Sequence, residues 1–346
     1  NLLTVTTLEA KAVGADVNID GKTLTTVNVT GTAQSIDITD NATTKVLKTV
    51  SIDGYTDDGG AADDDMKIDS TALTSLSLSN STMVDNGDDL ITDSTSALTI
   101  NLENVAGGAA DILAATATAA VVNTTGATKT VVIDDLDLSV AKTVSINAGA
   151  KTTTIDGLDI AAATTLDIGG AGNLVLTAGT YTALTTFDAS DATGNVTLTA
   201  AIDNADTYIG GSGKDTIAAM GATTKDHTLG AGDDSVTLTV AALGTSGTID
   251  AGEGSDTLGM TAANAVTASG AATFEATISN FEVLSIAAVA ADTATAIDLA
   301  NLDNINIVQT AGIADGTADG DDAVLTISNF TSGGTLRFTG SVGATD

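Results

Sequence analysis

The chain has 346 residues, with 45 acidic against 11 basic side chains, a formal net charge of −34 and a pI near 4.1. Nucleic acid and anionic membrane surfaces both call for basic patches, so neither is expected as a partner. With no cysteine and a single histidine, disulfides, zinc–thiolate sites and thiol catalysis are excluded, and little is left for imidazole chemistry.

Only Glu9, Glu103, Glu253, Glu275 and Glu282 are glutamates; the other 40 acids are aspartates. Aspartate competes for its own backbone and favours turns, whereas glutamate favours helices. Hydrophobic residues still make up 43% of the chain and the mean hydropathy is +0.27, so the sequence predicts a folded protein rather than an acidic tail. No segment reaches the roughly 18 uninterrupted apolar residues of a membrane span. The nearest, 105–122, is mostly Ala and Gly and is broken by Asp111. Starting at Asn1, the sequence reads as a mature or trimmed form.

Along the chain one phrase recurs: an apolar or small residue, two polar ones, then apolar–polar–apolar. Its first copies are Leu24 to Val29, Leu47 to Ile52 and Leu73 to Leu78, with Ser35 to Ile38 as a second short strand between the first two. Leu98 to Leu102 and Val121-Val122 continue the spacing. Copies then follow at Ala141 to Ile146, Ala163 to Ile168 and Leu184 to Ala189, interleaved with Thr130 to Ile133, Thr154-Ile155 and Asn173 to Leu176. Period-2 alternation marks each as a strand with one buried face. Adjacent centres lie 21 to 26 residues apart. Short strands at a fixed coil length predict an all-β, right-handed parallel β-solenoid, on the order of 15 coils at about 22 residues each. Tandem β-sandwiches are the alternative; they usually carry core aromatics and linker prolines, and this chain has eight Phe plus Tyr and no proline.

Three glycine–aspartate turns follow. Gly210-Gly211-Ser212-Gly213-Lys214-Asp215-Thr216-Ile217 fits the pattern G-G-x-G-x-D-x-apolar in full. Gly230, Gly232 and Asp234 repeat it with Leu229 at the first glycine, and Gly252, Gly254 and Asp256 repeat it with Ala251 there. The aspartates are 19 and 22 residues apart, about one coil, so the turns are expected to stack on one edge. Positive φ at the glycines turns carbonyls outward, and each aspartate adds a carboxylate. Two adjacent turns then offer about six hard oxygens, the coordination Ca²⁺ accepts more readily than Mg²⁺. Three turns predict two shared calcium sites.

This stretch resembles the RTX calcium-binding repeats, and more closely the RTX-containing surface-layer proteins of bacteria secreted by type I systems. Two further phrases support it, Ile278 to Ile286 (containing Phe281-Glu282-Val283-Leu284) and Thr185 to Ser190. The good match covers roughly residues 180 to 290. It implies a calcium-dependent β-solenoid that assembles into a two-dimensional lattice outside the cell. The chain departs from the family in having three such turns, two without the first glycine, and in showing neither a C-terminal secretion segment nor an anchoring domain.

Other acidic clusters are candidate calcium sites of weaker form: Asp57-Asp58 with Asp63 to Asp65, Asp85 with Asp88-Asp89, and Asp134-Asp135 with Asp137. The most loop-like run holds Asp315, Asp319, Asp321 and Asp322. Crowded carboxylates repel, and a divalent ion relieves them. His227 reads as structural, Tyr55, Tyr181 and Tyr208 are too scattered for a sugar platform, and Arg337 is expected in an edge salt bridge.

The organisation expected is solenoid coils over 1–205, calcium-binding turns over 206–260 and a further solenoid segment over 261–346. The function expected is structural, not enzymatic: a secreted, extracellular cell-surface protein using several Ca²⁺ ions to self-assemble into a surface layer or filament. Attachment to a cell-surface polysaccharide would fall to a part outside this chain. The rivals are an RTX adhesin segment, which needs an exposed aromatic or amide-rich binding patch, and a β-helical polysaccharide lyase or epimerase, which needs clustered His, Tyr, Lys or Arg.

Overall fold

The computed structural model describes residues 6–56, 66–83, 89–105, 110–126, 130–149, 151–202, 206–291, 293–314 and 323–340. The chain is all-β with very little helix, its parallel strands stacked as a β-solenoid of about 12 turns among these residues. Coil length varies along the chain, with 19 residues between Ile209 and its partner Thr228. Ile249 pairs with Ile278, and Val308 with Leu336. Contacts divide the chain into two compact units, Asn1–Gly194 and Asn195–Asp346.

In the first unit, strands of two rows alternate along the sequence. One row contains Thr49–Asp53, Ser75–Ser79, Ala97–Glu103, Ala119–Thr125, Val144–Ala148 and Thr165–Gly170, each parallel to the next. The other contains Met66–Asp69, Asp89–Thr92, Ala110–Leu113, Thr130–Asp137, Thr152–Asp159 and Asn173–Thr180. Alternation sends every second side chain inward. Val50, Leu76, Ile100, Val122, Ile146 and Ile168 thereby form one buried column in register.

The recurring phrase does not stay in one column. Leu76 faces Ile100, while Leu98 heads the column of Ala120, Val144, Leu166 and Phe187. The offset is two residues, which preserves the inward face. On the outer face an amide ladder climbs the same strands. Asn101 Nδ2 donates to Ser77 Oγ at 3.2 Å, Asn123 Nδ2 to Asn101 Oδ1 at 2.9 Å, and Asn147 Nδ2 to Asn123 Oδ1 at 2.8 Å. Asp40, buried at the end of Thr26–Asp40, gathers the loop after it by accepting from the backbone N–H of Ala42, Val46 and Leu47.

The second unit departs from all-strand coils at two places, the later a short 3-10 helix at Leu299–Asn301. Between Thr257–Met260 and Ile278–Ser279 the chain forms two short helices, Ala262–Ser269 and Ala272–Glu275. Alanine-rich sequence favours the first, and Thr261 caps it by accepting from Asn264 N–H at 3.1 Å. Phe274 and Ala268 seat the pair on the core. Farther on, Thr335–Phe338 pairs with Ile307–Thr310, and Leu336 and Phe338 are exposed. Among the described residues Arg337 forms no ion pair, and the one salt bridge joins Lys45 to Asp69 at 3.1 Å. The expected edge salt bridge of Arg337 is not seen among the described residues, where it stands opposite uncharged Gln309.

Candidate functional site

The three glycine–aspartate turns belong to the second unit and stack on one edge. Strands Asp215–Met220, Ser235–Leu238 and Thr257–Met260 pair in parallel, with Thr216 opposite Ser235 and Ser235 opposite Thr257. Ile217, Val236 and Leu258, two residues beyond the aspartates, are buried anchors.

The glycines act through close approach. A Cβ on Gly230 would lie 2.2 Å from Gly211 O, and one on Gly252 would lie 1.9 Å from Gly230 O. Likewise Gly232 abuts Gly213 O and Gly254 abuts Gly232 O, at 2.5 and 1.6 Å. Two files of carbonyls thus run up the edge where side chains would otherwise stand. Gly230, Gly232, Gly252 and Gly254 have φ between +93° and +155°. Gly210, Gly211 and Gly213 do not share this conformation, which corrects the expectation of positive φ in all three turns. In the first turn close approach is the requirement: a Cβ on Gly210 would meet Leu229 O at 1.8 Å.

The aspartates are fully shielded, at 1%, 0% and 0% exposure for Asp215, Asp234 and Asp256. Each carboxylate answers a backbone N–H of the preceding coil. Asp215 Oδ1 accepts from Val196 N–H at 3.2 Å, Asp234 Oδ1 from Asp215 N–H at 2.7 Å, and Asp256 Oδ1 from Asp234 N–H at 2.7 Å. The second oxygens of Asp234 and Asp256 are buried with no hydrogen-bond partner, as is the Tyr208 hydroxyl. Asp215 Oδ2 accepts from Gly211 N–H at 3.3 Å.

Removal from water dominates the electrostatics. Burial pushes Asp215 up to about 6, against the nearby Tyr208 hydroxyl and the N–H groups of Gly211 and Val196, which favour its charged form. Burial, with repulsion from Asp215 and Asp256, pushes Asp234 up to about 7. Asp256 rises to about 6 through burial and the charges of Glu282, Asp233 and Asp250. Burial and these same aspartates hold the Tyr208 phenol protonated.

Such a site fits a hard cation. Buried carboxylate oxygens without donors, beside stacked carbonyls, lack what a cation supplies. Among the described residues no three acidic or imidazole side chains form a ready cage, so an ion would complete its shell from the carbonyls. Gly211, Gly213, Gly230, Gly232, Gly252, Gly254 and the three aspartates fall on the right edge. Gly210 aligns instead with Leu229 and Ala251, both buried.

Sequence reasoning missed Glu282. Val283 pairs with Thr257, so Glu282 occupies the aspartate position of a fourth rung, and its Oε2 accepts from Asp256 N–H at 2.9 Å. The signal was the coil spacing itself, 26 residues beyond Asp256.

The remaining acids divide. Asp315, Asp319, Asp321 and Asp322 lie outside the described residues, as do Asp57-Asp58, Asp63 to Asp65, Asp85 and Asp88. Asp135 is raised by partial burial and by Asp111, Asp137, Asp159 and Asp134 around it. Asp167 and Asp188 face each other across paired strands and, with Ser145, Asn147 and Asp191, line a recess of about 310 Å³. No Lys, Arg or His lines that recess. His227 is buried and structural in its bonding: Nδ1 accepts from Tyr208 N–H at 3.2 Å and Nε2 lies 2.8 Å from Thr223 Oγ1. Burial lowers it to about 4, so it is neutral and Nε2 carries the proton. No protein-family model matches the chain, and no curated protein matches it.

Proposed function

We propose that this chain is a structural protein whose stacked acidic turns are clamped by Ca²⁺, and that it assembles outside the cell into a surface layer or filament. The observation that carries the reading is the pair of fully buried, partnerless carboxylate oxygens on Asp234 and Asp256. Ionised, such groups are costly to bury without a ligand of opposite charge, which Ca²⁺ supplies. Asp215, Asp234 and Asp256, with the carbonyls of the glycine files, hold the ions. The bound ion supplies neutralisation, so its binding energy becomes folding energy.

Assembly is supported by strand Thr335–Phe338, which among the described residues pairs on one side only and exposes Leu336 and Phe338. Free strand edges recruit further strands. The extracellular setting follows from the ion, since millimolar calcium keeps sites of modest affinity filled.

Electron microscopy of the purified protein with calcium, then with EGTA, tests the proposal. Ordered sheets or fibres that dissolve on chelation are expected. Circular dichroism and scattering that stay unchanged after exhaustive EGTA dialysis at low ionic strength overturn it.

A further inference from the structure

The acidic column does not stop at the third glycine–aspartate turn. Register carries it to Glu282, the residue before Val283 just as Asp256 is the residue before Thr257. The backbone contact repeats as well: Asp215 N–H to Asp234 at 2.7 Å, Asp234 N–H to Asp256 at 2.7 Å, Asp256 N–H to Glu282 at 2.9 Å. The turn serving this fourth rung is shorter. Asp250 pairs with Ser279, so three residues separate Ser279 from Glu282 where six separate Asp250 from Asp256. A glutamate, one methylene longer than aspartate, spans what the tighter turn gives up. Asn280 has φ +63°, so two residues before the carboxylate the chain is again left-handed, as at Gly232 and Gly254. Asparagine is the side chain that best tolerates this.

We infer that Glu282 is a metal ligand, closing a third divalent-cation site between the coil of Asp256 and its own. The independent mark is Asp256 Oδ2, buried and partnerless, on the aspartate that directly precedes Glu282 in the column. Glu282, Asp233 and Asp250 are the charges that act on it most, and no cationic side chain is among them. Two of these acids already have partners, Asp233 with Ser255 N–H and Asp250 with Asn280 Nδ2 and Gly252 N–H. Glu282, half-buried, is free to turn its second oxygen to an ion. Because the short turn brings no glycine carbonyl file of its own, the site leans on carboxylate charge more than the other two and exchanges its ion faster.

The assignment rests on the calcium reading above, and its test separates the two. Calcium chloride is titrated calorimetrically into the metal-free wild type, Glu282→Gln and the control Glu253→Gln. Glutamine keeps an acceptor for Asp256 N–H, so the metal-free variant should match the wild type in circular dichroism and thermal midpoint. The expected result is one calcium fewer in Glu282→Gln, or one site weakened at least about tenfold, with Glu253→Gln unchanged. An equal count and affinity in Glu282→Gln overturn the Glu282 site while leaving the aspartate clamp in place. No calcium bound by the wild type overturns the clamp itself.

Discussion

At Asp234 the same carboxylate is a burden in one state and an anchor in the other. Without metal its ionisation leaves a buried oxygen unanswered; with metal that oxygen is a ligand. Asp234→Asn is therefore expected to act with opposite signs. In calcium-free buffer at pH 8 it should raise the thermal midpoint, and in calcium it should lower stability by about 1–3 kcal/mol, the cost of an unsatisfied buried group. Denaturant melts in both buffers check this, and a loss of equal size in each would refute it. Tyr208 offers an optical readout. Its hydroxyl is partnerless and coupled to Asp215 and Asp234, in a chain with three tyrosines and no tryptophan. Calcium should change tyrosine emission, and Tyr208→Phe should remove most of the change.

The same groups set the response to acid. Asp215, Asp234 and Asp256 sit at about 6, 7 and 6, so between pH 4 and 7 the metal-free native state keeps protons that the unfolded chain has released. Metal-free stability must then fall as pH rises through that window. His227, lowered to about 4 from 6.5, works the other way, losing stability as pH falls through that range, but it is one group against three. Calcium holds the carboxylates ionised and reverses the slope. Urea titrations at pH 4.5 and 7.5, with and without calcium, should show the crossing.

Among the elements, strands and turns differ in what they reveal. Period-2 alternation and a spacing of one coil located the parallel rows, because burial on one face repeats in sequence whatever the neighbours are. The two-residue offset at Leu98 left no trace, since it exchanges one inward column for another. Nor did the helices at 262–275 announce themselves, in a sequence where alanine also fills strands and turns. The aspartates of the column were legible from their glycines; Glu282 was not, because its turn has none. Nothing in the sequence marked Asn101, Asn123 and Asn147 as a bonded ladder. Asn123→Asp removes the donor to Asn101 and is expected to cost about 1 kcal/mol, measured by chemical denaturation. Asp40 shows the same economy in a loop. Burial opposes its charge, yet the N–H groups of Leu47, Ala42 and Val46, with Lys45, hold it below the usual carboxylate range. Asp40→Ala should cost about 2–3 kcal/mol at pH 7, and less once the pH falls through that range and the wild-type carboxylate takes up its proton.

At the scale of the whole molecule, a net charge of −34 makes every compact state work against itself. Sodium chloride screens exposed acids but supplies no ligand to buried ones. Calcium should therefore raise the thermal midpoint far more than sodium at matched ionic strength, with magnesium between them; equal effects would reduce the ion's role to screening. The hydrogen-bond column also has a direction. Val196, Asp215, Asp234 and Asp256 each donate their amide hydrogen to a carboxylate of the coil that comes after. A cut downstream of Asp256 therefore leaves its amide without a carboxylate, and a cut upstream leaves a buried carboxylate without its amide, so loosening spreads from a break in both directions. A chain emerging amino end first would keep each coil waiting for its successor, and would lock in the order in which it arrives.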